Sequence, residues 1–189
     1  TPGNGGRSVA AFAYNEGLAA EKMKFIAYDG EHEAIILKSD HGSFEVKLSM
    51  KDVIIDKFDD TFLLVNTGSP HYVCRVDNLA DFDVVQNGRK IRYDNSISNN
   101  GINVNFMEKI DNQIYLRTYE RGVEDETLSC GTGVTATAIA VSLWYEGEAF
   151  EIITLGGNLQ VSFKKAGNYF SGIELTGPAK LVFTGNIKI

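Results

Sequence analysis

Cys130 stands directly before Gly131-Thr132-Gly133, and an apolar run from Val134 to Tyr145 follows. A Gly-x-Gly turn that opens a helix leaves backbone N–H groups free to point at an anion, and the helix macrodipole reinforces them. A thiol one residue before such a start is expected to have its pKa lowered from about 8.5, which makes it a usable base or nucleophile. The alternative is a buried, inert cysteine that fills a core gap, the commoner role for an isolated thiol. The glycines beside Cys130 weaken that alternative. Upstream, Glu120-Arg121-Gly122 closes a strand-like segment, and the loop Val123-Glu124-Asp125-Glu126-Thr127 leads back towards the thiol. Glu120 and Arg121 can therefore share its site, or form a surface ion pair of little worth. His71, after the turn Gly68-Ser69-Pro70, is either structural or a further polar group of the same site.

Two segments look strongly helical, residues 6–16 and residues 134–145, and both are apolar nearly all round, so each must be buried on most sides. They resemble copies of one another. Gly3-Asn4-Gly5 precedes the first and Gly131-Thr132-Gly133 the second, and each runs to an aromatic residue and a Glu-Gly (Tyr14 to Gly17, Tyr145 to Gly147). A single Gly-x-Gly more often marks a tight turn feeding a helix; the duplication implies pseudo-symmetric halves whose facing helix starts would clamp a carboxylate or phosphate. No GxGxxG or GK[ST] follows a strand, so no nucleotide site is read.

Strand signals fill the rest. "AIILKSDHGSFEVKLSM" reads as a hairpin around Asp40-His41-Gly42, and "INVNFMEKIDNQIYLRTYE" as one around Asp111-Asn112. After residue 149, strands punctuated by Gly-Gly-Asn, Ala-Gly-Asn and Gly177-Pro178 read as a β-meander. The expectation is an α+β fold of two sheets, each wrapped around its own helix.

The formal charge of −7 offers no positive field for a phosphate backbone, so nucleic acid is not an expected partner. No run reaches the roughly 18 apolar residues of a membrane span, and no basic-then-apolar leader opens the sequence, so a cytoplasmic location is expected. Two cysteines and three histidines show no CxxC or HExxH spacing. Reduced thiols and no metal are expected.

"YERGVEDETLSCGTG" (119–133), "GSPH" (68–71), "INVNF" (102–106) and "GNGGR" (3–7), in this order, resemble the signature segments of the diaminopimelate epimerase family. The first is the most specific. The resemblance implies two pseudo-symmetric lobes, each a mostly antiparallel sheet or barrel around a central helix. It implies an isomerase of the lysine and cell-wall precursor pathway that interconverts LL- and meso-diaminopimelate without pyridoxal or any other cofactor. One cysteine removes the α-proton from one face while another delivers a proton to the other. Cys130 would be one thiol, with His71 and Glu120 as polar partners that tune it. Gly3, Asn4, Gly131 and Thr132 would hold the α-carboxylate, and Ser69, Asn103 and Arg121 would contact the rest of the amino acid, Asn103 and Arg121 at its distal end. A homodimer is the assembly found in many members.

The chain departs from the family pattern at Pro2, where the other catalytic cysteine would stand; proline has no side chain to titrate. Impaired epimerisation is the expected consequence. Ser8 stands where many members carry a further cysteine, and Ser69 where many carry an asparagine. The resemblance divides the chain into a first lobe of residues 1–50 plus 178–189, expected to lack its opening strands, and a complete second lobe of residues 51–177. A non-catalytic binding relative or fragment, and a related cofactor-independent isomerase, remain as alternatives.

Overall fold

The structure, a computed structural model, describes residues 3–27, 30–55 and 57–186; Pro2, and with it the departure noted above, lies outside them. Three α-helices are present among the described residues: α1 (Asn4–Asn15), α2 (Val84–Arg92) and α3 (Gly131–Tyr145). The strands are β1 (Lys22–Ala27), β2 (Gly30–Asp40), β3 (Ser43–Ser49), β4 (Val53–Ile54), β5 (Lys57–Phe58), β6 (Phe62–Asn66) and β7 (Pro70–Arg75), then β8 (Asn103–Ile110), β9 (Gln113–Glu120), β10 (Asp125–Thr127), β11 (Ala149–Thr154), β12 (Gly157–Ala166) and β13 (Tyr169–Lys180).

Both expected helices form, and each starts two or three residues earlier than its apolar pattern. Glycine is a poor helix former in isolation, but here close packing requires it. A β-carbon on Gly6 would come within 2.8 Å of Leu48 Cδ2, and one on Gly133 within 2.4 Å of Asn105 Oδ1. Helix α3 is buried continuously from Gly131 to Ser142. Helix α1 corrects the expectation of burial on most sides: Gly6, Arg7, Ala10 and Ala11 face β2, β3 and β13, while Val9 and Phe12 are 54% and 59% exposed. Nothing among the described residues packs over that outer face.

The two sheets expected from the sequence are one. The strands run β1-β2-β3-β13-β12-β11-β9-β8-β7-β6-β5, with β10 beside β9 and β4 beside β13. The seam is β13 against β3, antiparallel from Glu174↔Ser49 to Lys180↔Ser43. Gly177-Pro178, expected as a turn, lies inside β13. Its pairing with β12 ends at Thr176, so Pro178 has a strand on one side only, where proline is tolerated.

The hairpins at residues 40–43 and 110–113 form as expected, as do the antiparallel pairs β11/β12 and β12/β13. Two junctions are parallel, β7/β8 and β9/β11. A parallel pair needs a crossover, and the helices supply it: α2 lies between β7 and β8, and α3 between β9 and β11. Helix α2 was not expected. Its Asp83 cap accepts from the Gln86 N–H at 2.9 Å and three basic residues close its last turn, but Gly88 interrupts the pattern. That glycine is what lets α2 lie on β9, since a β-carbon there would come within 2.4 Å of Tyr119 Cβ.

Candidate active site

The starts of α1 and α3 meet. A β-carbon on Gly131 would lie 2.7 Å from Gly3 Cα, and Gly3 has φ +92°, a conformation that favours glycine. The backbones touch because neither residue has a side chain. Beside the contact lies a cavity of about 300 Å³ lined by eight of the ten expected residues, Asn4, Ser69, Asn103, Glu120, Arg121, Cys130, Gly131 and Thr132. Gly3 lies under it through Gly131, and His71 through hydrogen bonds to Ser69 and Thr132. Gly5, Gly68 and Ser129 also line it and were not anticipated. Among the described residues no group of three or more metal-ligating side chains comes together.

Cys130 is the N-cap residue of α3 and is buried. The lowered thiol pKa expected from the helix dipole is not what its surroundings give. Burial, and then the charge of Glu120, push the Cys130 thiol above its ordinary value, against hydrogen bonds from the Thr132 hydroxyl and the N–H groups of Gly133 and Thr132. Desolvation of the thiolate outweighs the helix end, so the thiol rests protonated at neutral pH.

The hydrogen bonds behind it have a definite direction as far as His71. Asn105 Nδ2 donates to Tyr72 O at 3.1 Å and to His71 Nδ1 at 3.0 Å, while Asn105 Oδ1 accepts from the Thr118 hydroxyl at 3.1 Å. These bonds leave Nδ1 of His71 as the acceptor and place the ring proton on Nε2. Burial, then the Arg121 charge, hold the His71 pKa down to about 3, which keeps the ring neutral. Nε2 lies 2.9 Å from both Thr132 Oγ1 and Ser69 Oγ. Asn103 Nδ2 donates to Ser69 Oγ at 3.2 Å, and Ser69 Oγ lies 3.1 Å from Thr132 Oγ1. Thr132 Oγ1 in turn lies 3.4 Å from Cys130 Sγ; a thiolate can only accept, so when Cys130 loses its proton the Thr132 hydroxyl is the donor to sulfur. His71 thus reaches the thiol through Thr132 and is a positioning residue.

This directionality has a measurable consequence. Thr132→Val keeps the shape and removes the donor, so the thiol pKa should rise further. Iodoacetamide should then alkylate Cys130 about 3- to 10-fold more slowly at pH 8, the effect of a shift of about half to one pKa unit. Cys74, pushed up to about 12 by burial, does not compete. An alkylation rate equal to that of the parent protein would mean that the hydroxyl points elsewhere.

At the other end of the cavity, Asn103 is spent on scaffolding. Both hydrogens of Nδ2 are engaged, with Ser69 Oγ and with Pro70 O at 3.0 Å, and Oδ1 accepts the Arg121 N–H at 2.9 Å. The Arg121 guanidinium makes long contacts from Nη1 to the carbonyls of Gly101 and Asn100, 3.3 and 3.5 Å, and pairs with no carboxylate among the described residues. Its fork is open to a ligand. Glu120 accepts from the Thr127 hydroxyl at 3.0 Å through one oxygen. The loop between them is fastened by Glu124, which holds φ +61°. Its carboxylate takes the Gly122 N–H at 3.0 Å, Arg92 Nη2 at 2.8 Å and the Tyr93 hydroxyl at 3.0 Å. Helix α2 thereby steadies the segment that presents Arg121.

Residues 63–182 match the family model described as diaminopimelate epimerase. The diaminopimelate epimerase of Flavobacterium psychrophilum is 45% identical over 188 residues, 98% of this chain and 72% of the relative. That of Aquifex aeolicus is 32% identical over 197 residues, 98% and 68%. Among solved structures, a hydroxyproline epimerase from Agrobacterium vitis superposes with a TM-score of 0.73 at 16% identity, over 93% of this chain and 63% of that one. A phenazine biosynthesis protein of the PhzF family from Bacillus anthracis superposes with 0.66 at 12% identity, over 95% and 75%. These two share the fold.

Proposed function

Because this chain belongs to the diaminopimelate epimerase family, we propose that it acts as an isomerase interconverting LL- and meso-diaminopimelate without pyridoxal. The observation that carries this reading is a thiol at the meeting point of two helix starts, in a cavity whose walls hold one carboxylate, Glu120, and one open guanidinium, Arg121. Those charges match an amino acid with a second polar end.

The α-carboxylate lies against the first N–H groups of α1 and α3, which have no partners within their own helices. As the α-proton leaves, negative charge moves onto that carboxylate, and the fixed N–H dipoles stabilise it in a site shielded from water. No electron-sink cofactor is then required. Cys130 first gives its proton to solvent; the thiolate then takes the α-proton on one face of the α-carbon, exchanges it with solvent and returns it, with Thr132 donating to sulfur while it is a thiolate and His71 holding Thr132. Burial, and then the charge of Glu120, keep the resting thiol protonated. Arg121 takes the distal carboxylate, and Ser69 and Asn103 hold the wall between. By the family pattern the second thiol would stand at position 2, where this chain has proline; inversion should therefore be slow relative to exchange.

We also place the enzyme in the cytoplasm as a homodimer acting on a free amino acid. Its lobes are residues 1–50 with 178–189 around α1, and residues 51–177 around α3, sharing β13.

The test is LL-diaminopimelate in D₂O, followed by NMR with chiral analysis of the product. Loss of the α-proton signal supports the reading; folded protein that causes none overturns it. Arg121→Ala should weaken diaminopimelate binding by about 10- to 100-fold, the worth of a charge-assisted bond, and leave a short amino acid such as alanine nearly unaffected. Equal losses for both would point to a different substrate. Pro2 favours one second reading, a binding relative, for which diaminopimelate raises the melting temperature by linkage without being converted.

A further inference from the structure

Arg7 lies in the second turn of α1 and is only 5% exposed. Its Nη2 donates to Asn4 Oδ1 at 2.9 Å. Its Nε and Nη1 are buried with no partner among the described residues, and no carboxylate there pairs with it. A β-carbon on Gly177 would come within 3.4 Å of Nε, so the guanidinium lies against β13, the strand on which both α1 and α3 pack. Burial holds its pKa down to about 10, and it stays charged at neutral pH. An uncompensated buried charge is costly, and replacing such a group by an apolar one of similar size is often stabilising. Stability alone therefore does not account for an arginine here.

Its one bond points to a different role. Asn4 passes the connection on, because its Nδ2 donates at 2.9 Å to the carbonyl of Ser129, the residue before the thiol. Arg7, Asn4 and Ser129 thus form a strut from the body of α1 to the segment that carries Cys130. We propose that Arg7 is a positioning residue for the reaction: through Asn4 it sets the alignment of the two helix starts, and its unpaired charge biases the clamp between them towards an anion. This rests on the clamp being the carboxylate site of the proposed function.

The test uses Arg7→Met, of similar length and uncharged, and Arg7→Lys, which keeps the charge. Three quantities are read: melting temperature without ligand, affinity for meso-diaminopimelate by calorimetry, and the exchange protection of the Asn4 side-chain amide in ¹⁵N-labelled protein without ligand. Arg7→Met should melt no lower than the parent, bind at least about 10-fold more weakly and lose protection at Asn4. Arg7→Lys should recover part of the affinity. A merely structural arginine predicts the opposite pattern, with a lowered melting temperature and binding within about twofold of the parent; that result, or an unchanged Asn4 amide, overturns the proposal. If Arg7→Met does not fold, folded Arg7→Lys decides by affinity and Asn4 protection, parent-like values in both overturning it. A parent protein that does not bind diaminopimelate sinks the substrate assignment instead, and the Asn4 amide still decides the strut.

Discussion

Cys130→Ser should slow α-proton exchange of diaminopimelate in D₂O by about 10³-fold, within the range for loss of a positioned acid or base, without lowering the melting temperature. Serine has nearly the shape of cysteine but holds its proton far more tightly, so it cannot take the α-proton at neutral pH. It is also among the best residues at a helix N-cap, the position Cys130 occupies, so the fold loses nothing. A serine variant that exchanges at the parent rate would move the base elsewhere. The reciprocal change is Pro2→Cys. If position 2 faces the other side of the α-carbon, a thiol there should raise inversion by about 10²-fold or more, converting exchange with retention into exchange with inversion. An unchanged ratio of inversion to exchange would remove the two-thiol assignment while leaving Cys130 as a base.

Gly131→Ala should lower stability by about 1–3 kcal/mol, the usual cost of overpacking, and weaken diaminopimelate binding by up to about 100-fold, as displacement of a binding group by about an ångström can. The new methyl would meet Gly3 Cα at 2.7 Å, Leu175 Cδ2 at 3.1 Å and the Asn4 backbone nitrogen at 3.2 Å. Leucine can turn aside, but the two backbone contacts cannot yield unless α1 and α3 move apart. That separation is the dimension of the carboxylate clamp, so stability and affinity fall together. Gly185→Ala is the control: no atom lies near its new methyl, and its effect should stay within about 0.5 kcal/mol. Chemical unfolding and calorimetry on the two variants check both quantities, and an alanine at 131 with parent affinity would mean that the clamp does not bind the substrate.

The hairpins were legible because their turns are written in local chemistry: His41 and Asp111 adopt φ +44° and +53°, and Gly42 and Asn112 stand beside them. Helix α3 was legible because its apolar run has no break. Helix α2 was not, since Gly88 reads as a breaker until Tyr119, some thirty residues later in the chain, is seen to need the space. The single sheet was hidden for the same reason: nothing near Ser43–Ser49 says that Glu174–Lys180 will pair with it.

Within the site, the segments around Cys130, Glu120 and His71 carry enough pattern to mark them, and the structure brings them to one cavity. The state of the thiol was misjudged because a helix start can be read from neighbouring residues, whereas burial and the approach of Glu120 arise only on folding. Asn105 and Thr118 went unnoticed, although Asn103 and Asn105 are two apart in a strand and so share a face. That spacing was the available signal. Arg7 closes the segment GNGGR, but nothing in the segment gave it a role, because an arginine in a helix is unremarkable until its surroundings prove to lack a carboxylate.

The β3–β13 seam also sets an order of assembly. It joins residues separated by most of the chain, and contacts of such long range form slowly because the intervening chain must first be closed into a loop. During synthesis, which runs from the N-terminus, α1 and the β2–β3 hairpin are complete long before β13 exists. They must wait with an open strand edge that is prone to pairing with other chains. Closing that edge and bringing Gly3 against Gly131 both depend on late long-range contacts, so catalytic competence should be among the last properties a new molecule acquires.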